Sequence, residues 1–119
     1  MDKQSIQHII DQSEHLASLS NKKKVLKERL DADLTFGYAT GIFKIDIELM
    51  SHVRFLLENN KDKNTVLLDS NLNPILITDL NKFSDDIQDR YFSSVSKYHA
   101  EYQKLENVFK TYALKTGSI

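Results

Sequence analysis

The sequence predicts an α+β fold in which helices dominate, and three observations carry that expectation. Two long stretches, one at each end, repeat apolar residues in steps of three and four. The stretch between them holds two short β-prone segments around one short helix. Only three glycines and one proline occur in 119 residues, which favours long helices joined by few turns. The expected order is a long N-terminal helix, a β-hairpin, a short helix, a second β-hairpin and a long C-terminal helix. The length suits a single domain over residues 1–119, with a helical arm (1–33), a hairpin–helix–hairpin centre (34–78) and a long C-terminal helix (79–115).

In the first arm, Ile9, Leu16, Leu19, Leu26 and Leu30 fall on one heptad seam, which Gln12 and Lys23 interrupt. Those polar interruptions point to packing against another helix of the same protein and away from an autonomous coiled coil. Ser18, Ser20 and Asn21 could divide the arm into two helices.

The centre begins with Thr35, Phe36, Tyr38, Ile42, Phe43 and Ile45, all β-prone, with Gly37, Thr40 and Gly41 allowing a turn or bulge. Asp46 is a suitable N-cap for the next helix, and Ile45 and Met50 occupy the positions of a hydrophobic staple. That helix, Ile47 to about Glu58, points Leu49, Met50, Val53, Leu56 and Leu57 inward. Asn59 to Asn64 reads as a polar loop. Val66 to Leu68 and Pro74 to Ile77 read as the strands of the second hairpin, joined by the turn-like Asp69-Ser70-Asn71-Leu72-Asn73. Thr78 or Asp79 then caps the last helix.

The last helix has the cleanest period. Leu80, Phe83, Ile87, Tyr91, Val95, Tyr98, Tyr102, Leu105, Phe109 and Tyr112 step by three and four throughout. A continuous helix of this extent is about 54 Å long, whereas a compact domain of this size has a radius of gyration near 13–14 Å. The helix is therefore expected to overhang, to pair with the N-terminal arm, or to join other subunits.

Acids (17) and bases (16) nearly cancel, so no overall basic field draws the chain to nucleic acid or to an anionic membrane. The absence of cysteine excludes disulfides, thiol catalysis and thiolate zinc sites. No run approaches the roughly 20 apolar residues that span a bilayer. His8 and His15 lie seven apart, wider than the three or four of helical metal pairs. Asp69 to Asn73 resembles the start of a calcium loop. Pro74, however, stands where that loop needs glycine, and Leu80 where it needs a bidentate acid. Asp85, Asp86 and Asp89 lie in the first turns of the last helix, where the helix dipole favours negative charge. No catalytic residue, metal ligand or cofactor is expected.

Lys22, Lys23, Lys24, Lys27 and Arg29 form the one basic run, diluted by Glu28, Asp31 and Asp33. It supports the alternative expectation, a small nucleic-acid accessory protein using residues 22–29. The residues expected to bind partners are Tyr91, Tyr98, Tyr102, Phe109 and Tyr112, with Ile9, Leu16 and Leu19 from the first arm. Tyrosines suit interface margins because they bury a ring and keep a hydroxyl near water.

Several of these segments together resemble a known layout. Lys27-Glu28-Arg29-Leu30 closes a charged helix, and Phe36-Gly37-Tyr38 opens a hairpin. Gly41-Ile42-Phe43-Lys44-Ile45-Asp46 is similar to a Gly-x-Phe-x-x-Asp step. Leu68-Asp69 to Pro74-Ile75-Leu76-Ile77-Thr78 is similar to a second hairpin and helix start. Over residues 20–112 this resembles a family of domains of unknown function found in phage tail-fibre-associated and tail-assembly proteins. The chain departs from that family in lacking a tryptophan near Val66-Leu67 and in having helices rich in Lys, Asp and Asn, not Ala. The resemblance implies a place, the virion tail or the host cytoplasm during phage assembly, and with no catalytic constellation in the sequence the expectation is a non-enzymatic protein. It would act by contact with other tail or tail-fibre proteins, as a homo-oligomer away from membranes. The family brings no functional residues with it.

Overall fold

A computed structural model describes the backbone from Lys3 to Thr116 and the side chains from residue 4 to residue 111. The elements are α1 (Lys3–Asp33), β1 (Thr35–Tyr38), β2 (Gly41–Lys44), α2 (Ile47–Glu58), β3 (Lys63–Leu68), β4 (Pro74–Asp79) and α3 (Leu80–Thr116). This is the predicted order of helix, hairpin, helix, hairpin, helix. Helix α1 runs unbroken through Ser18, Ser20 and Asn21, so the first arm is one helix. The chain divides into two compact units: Met1–Arg29 with Lys97–Ile119, here the helical unit, and Leu30–Ser96, here the central unit.

The central unit holds the hydrophobic core. In β2 the alternation of a half-buried strand is complete: Gly41 and Phe43 point in, Ile42 and Lys44 point out, and Ile45 just beyond is buried. Leu67 on β3 and Ile75 and Ile77 on β4 meet this layer. Leu80, Phe83 and Ile87 of α3 and Val53 of α2 complete it. Phe83 is the hub. Its ring lies 5.9 Å from that of Phe36, 5.4 Å from Tyr38 and 5.2 Å from Phe43, all edge to face, the geometry aromatic rings prefer. Gly41 is required by closeness: a Cβ there would stand 2.6 Å from Ile75 Cγ1.

Both hairpins are antiparallel. Phe36 pairs with Phe43 and Gly37 with Ile42 in the first; Val66 pairs with Leu76 and Leu67 with Ile75 in the second. The first turn places Ala39 in the left-handed region at φ 52°. Strand β3 begins at Lys63, three residues before the expected Val66, because pairing with β4 continues out to Lys63 opposite Asp79. A cross-strand partner thus claims residues whose local propensity is that of a loop.

The caps match their sequence signals. Asp46 Oδ1 accepts the Leu49 N–H at 2.7 Å. Asp79 Oδ1 accepts the Lys82 N–H at 3.2 Å, so Asp79, not Thr78, caps α3. Ile45 is fully buried, and Met50 packs against the same core cluster, as a staple requires. At the end of α1, the Arg90 Nε–H donates to the Asp33 carbonyl at 2.7 Å, and Lys44 pairs with Asp31 at 2.8 Å. That ion pair raises the Lys44 pKa, chiefly through its hydrogen bond to Asp31.

Candidate functional site

The central unit has one buried carboxylate, Asp69, and its chemistry is structural. It lies at the start of the β3–β4 turn and is only 5% exposed. Its Oδ2 accepts the Ile42 N–H at 3.0 Å; its Oδ1 accepts the N–H groups of Asn71 at 2.9 Å and Asn73 at 2.8 Å. Next to it, the Ser70 N–H and hydroxyl both donate to the Ile42 carbonyl, at 2.9 and 2.7 Å. Asp69 and Ser70 therefore occupy the outer edge of β2 much as a neighbouring strand would, and they tie the two hairpins together. The Ile42 N–H, followed by those of Asn73 and Asn71, holds the Asp69 pKa below its ordinary value against the opposing effect of burial. The sequence reading of residues 69–73 as a turn agrees with this geometry.

An open cleft of about 430 Å³ lies beside that turn, lined by Lys44, Asp46, Glu48, His52, Asp69 and Ser70 among others. Most of its charged groups are engaged: Asp46 in a helix cap, Asp69 by backbone donors and Lys44 by Asp31. Among the described residues no three His, Asp or Glu side chains cluster as a metal site would require.

In the helical unit, α1 and α3 pair antiparallel. Lys23 of α1 meets Glu106 at 2.8 Å and stands 4.7 Å over the Tyr102 ring. His15, further toward the start of α1, stacks on Phe109 at 6.2 Å, further toward the end of α3. The Glu106 hydrogen bond is the main cause of a raised Lys23 pKa, and the Lys23 hydrogen bond the main cause of a lowered Glu106 pKa. Lys23, placed by the sequence among interruptions of the seam, thus makes its principal cross-helix contact.

The residues expected to bind partners are distributed as follows. Tyr98, Tyr102, Phe109 and Leu19 are half-buried in the helical unit, and Tyr98 lies 5.8 Å from Tyr102. Tyr91 packs against the core of the central unit, with its ring 5.7 Å from Phe92. The Tyr112 side chain lies outside the described residues. Ile9 and Leu16 are exposed at 47% and 45%. The seam turns toward His15 there, which leaves these two on its shoulder. The basic run does not gather on one face. Lys22, Lys24, Lys27 and Arg29 are exposed at intervals that spread them around α1, while Lys23 turns inward.

The largest uncovered aliphatic surface on a hairpin was not singled out in the sequence. Val66, Leu68 and Leu76 point away from the core, beside exposed Pro74 and the turn residue Leu72. Val66 faces Leu76 and Leu68 faces Pro74 across the ladder. Its signal was present: β3 and β4 read Val-Leu-Leu and Pro-Ile-Leu-Ile, with no polar alternation. Continuous apolar runs of this kind belong to strands covered on both faces.

No protein-family model, curated protein or solved structure matches this chain.

Proposed function

We propose that this chain is a non-enzymatic, phage tail-associated protein, either a small virion component or a tail-fibre assembly factor, that acts through contacts with other tail proteins. The observation that carries the contact reading is the outer face of the β3–β4 hairpin. A solvated hairpin face is ordinarily polar. Here Val66, Leu68, Leu72 and Leu76 are 52–75% exposed and sit together on one face and its turn. Apolar clusters of that kind mark places where another protein binds. Support for the tail setting comes from the residues 20–112 layout, whose aromatic hairpin, acidic cap and second hairpin resemble those of tail-associated domains.

A pull-down against co-expressed tail and tail-fibre proteins tests the reading. The wild-type chain is expected to retain at least one of them. Val66→Asp combined with Leu76→Asp places two charges on the face without touching the core and is expected to weaken capture at least about tenfold. Failure to retain any tail protein, or equal capture by the double variant, overturns the assignment.

A further inference from the structure

We propose that Leu72, at the tip of the β3–β4 turn, anchors the hairpin contact by seating in an uncharged apolar pocket on a tail protein. The inference deepens the contact-protein reading and rests on it.

Among the described residues, four other than glycine have positive φ: Ala39, Asn60, Asn64 and Leu72. Two are asparagines, which tolerate the left-handed region, and one is the smallest residue with a Cβ. Leu72, at φ 61°, is the one bulky side chain held there. Asparagine flanks it at 71 and 73, yet leucine occupies the left-handed position itself. Packing within the chain does not account for that choice. Leu72 is 75% exposed, more than any other large apolar side chain among the described residues. Strained backbone positions that persist cluster where a protein grips something else.

The turn holds this side chain out on a fixed frame. The Leu72 N–H donates to the Asp69 carbonyl at 3.0 Å, and the Asp69 N–H donates to the Asn73 carbonyl at 3.0 Å. The Asp69 carboxylate accepts the N–H groups on either side of Leu72, those of Asn71 and Asn73. A knob fixed before contact has little conformational freedom left to lose on binding.

The surroundings of the tip define its occupant. Asp69 is the one charged residue between Leu68 and Pro74, and it is buried with both oxygens occupied. Lys44, Glu48 and His52 line the cleft beside Asp69 and Ser70, but Leu72 forms no wall of that cleft. Lys63 and Asp79 pair at the other end of the ladder, about 16 Å along the strand from Leu68. Leu72 thus offers bulk and no ion pair. Its complement is a concave, leucine-sized apolar pocket with an uncharged rim.

Leu72→Asn separates strain from contact. Asparagine suits this backbone, so the melting temperature is expected to rise by about 2–6 °C. Capture of the co-expressed tail or tail-fibre protein is expected to fall at least about tenfold. Leu72→Met, which keeps an apolar side chain of similar volume, is expected to stay within about threefold of wild type. Wild-type capture is expected to change less than about twofold between roughly 50 and roughly 500 mM salt, because no ion pair seats the tip. A residue that merely builds the turn cannot gain stability and lose capture in one substitution. Equal capture by Leu72→Asn, or a melting temperature that does not rise, overturns the proposal, and a steep loss with salt overturns the uncharged pocket. A mass that doubles with concentration in the wild type and not in Leu72→Asn makes the occupant a second copy and overturns the assignment to a tail protein. The two readings fail separately. Capture that Val66→Asp with Leu76→Asp weakens and Leu72→Asn leaves intact sinks the anchor alone, whereas a wild type that retains no tail protein sinks both.

Discussion

The central and helical units are held together by different means. In the central unit eight large side chains, among them Phe43, Phe83, Ile45 and Ile77, are essentially inaccessible, and rings close around Phe83 from three sides. In the helical unit no described side chain is buried to that degree, and the one buried apolar residue among them, Leu26, is 8% exposed. Its seam relies on half-buried aromatics and on the Lys23–Glu106–Tyr102 contact. An apolar core stabilises in proportion to the area it removes from water. A seam of partly exposed charges adds little stability and chiefly sets register. The central unit should therefore unfold as a strong cooperative body, while the helical unit has stability to gain from an added surface.

The largest loss of stability is expected in the central unit, from Phe83→Ala. Truncating this ring removes three edge contacts and opens a cavity, at a cost of about 3–5 kcal/mol. Urea unfolding followed by tyrosine fluorescence should show the cooperative transition of the central unit moving to much lower denaturant. An effect of the size expected for a surface substitution would mean that Phe83 is not the hub of this core.

Asp69→Asn comes next. The asparagine keeps one carbonyl oxygen but turns an amide toward a backbone donor, so one of the three N–H groups now served loses its acceptor. The melting temperature is expected to fall by roughly 5–10 °C. The pH dependence gives an independent reading. Because the folded pKa of Asp69 lies below its ordinary 3.8, its contribution is complete above that value. It is lost as pH falls through the lowered folded value. Wild type should therefore lose stability in that acid range more steeply than the variant. Parallel curves would show that the carboxylate charge does not hold the turn.

The two units also differ in how far they could be read from residues alone. Element order, the Asp46 cap and the Leu80–Phe83–Ile87 face were legible because each is a local signal: a capping side chain or a helical period. The start of β3 was not, since Lys63 and Asn64 owe their place to β4 across the ladder. Asp69 was legible as a turn residue. Its link to Ile42, 27 residues away, was not, because nothing local records which distant N–H a carboxylate will accept. In α1 the heptad placed Ile9 and Leu16 in the seam. The observed seam turns to His15, because a polar ring that stacks on Phe109 competes with leucine for that position. The exposed hairpin face was written in the unbroken apolar runs of β3 and β4. A run of that kind predicts cover on both sides without saying whether the cover is intramolecular.

The smallest effect expected is at Lys23. Lys23→Met keeps the length and apolar stem of the side chain and removes its charge, leaving the Tyr102 ring without its cation and Glu106 with only the weaker field of Lys110. Amide exchange in α1 around residues 15–26 is expected to quicken by about two- to fivefold, with exchange in the central unit unchanged. The wild-type seam should itself weaken at high salt, which screens the pair, and the variant should not. The sign with pH follows from the two shifts. Lys23 is raised, so its contribution is complete below 10.5 and lost as pH climbs through the raised value. Glu106 is lowered, so its contribution is present above 4.5 and lost as pH falls through the lowered value. Protection of α1 should therefore form a plateau across neutral pH that weakens at both ends, and Lys23→Met should remove both shoulders. If the plateau survives the substitution, register in the helical unit is set by Leu19, Leu26 and the tyrosine rings. The charged pair would then be a consequence of that packing.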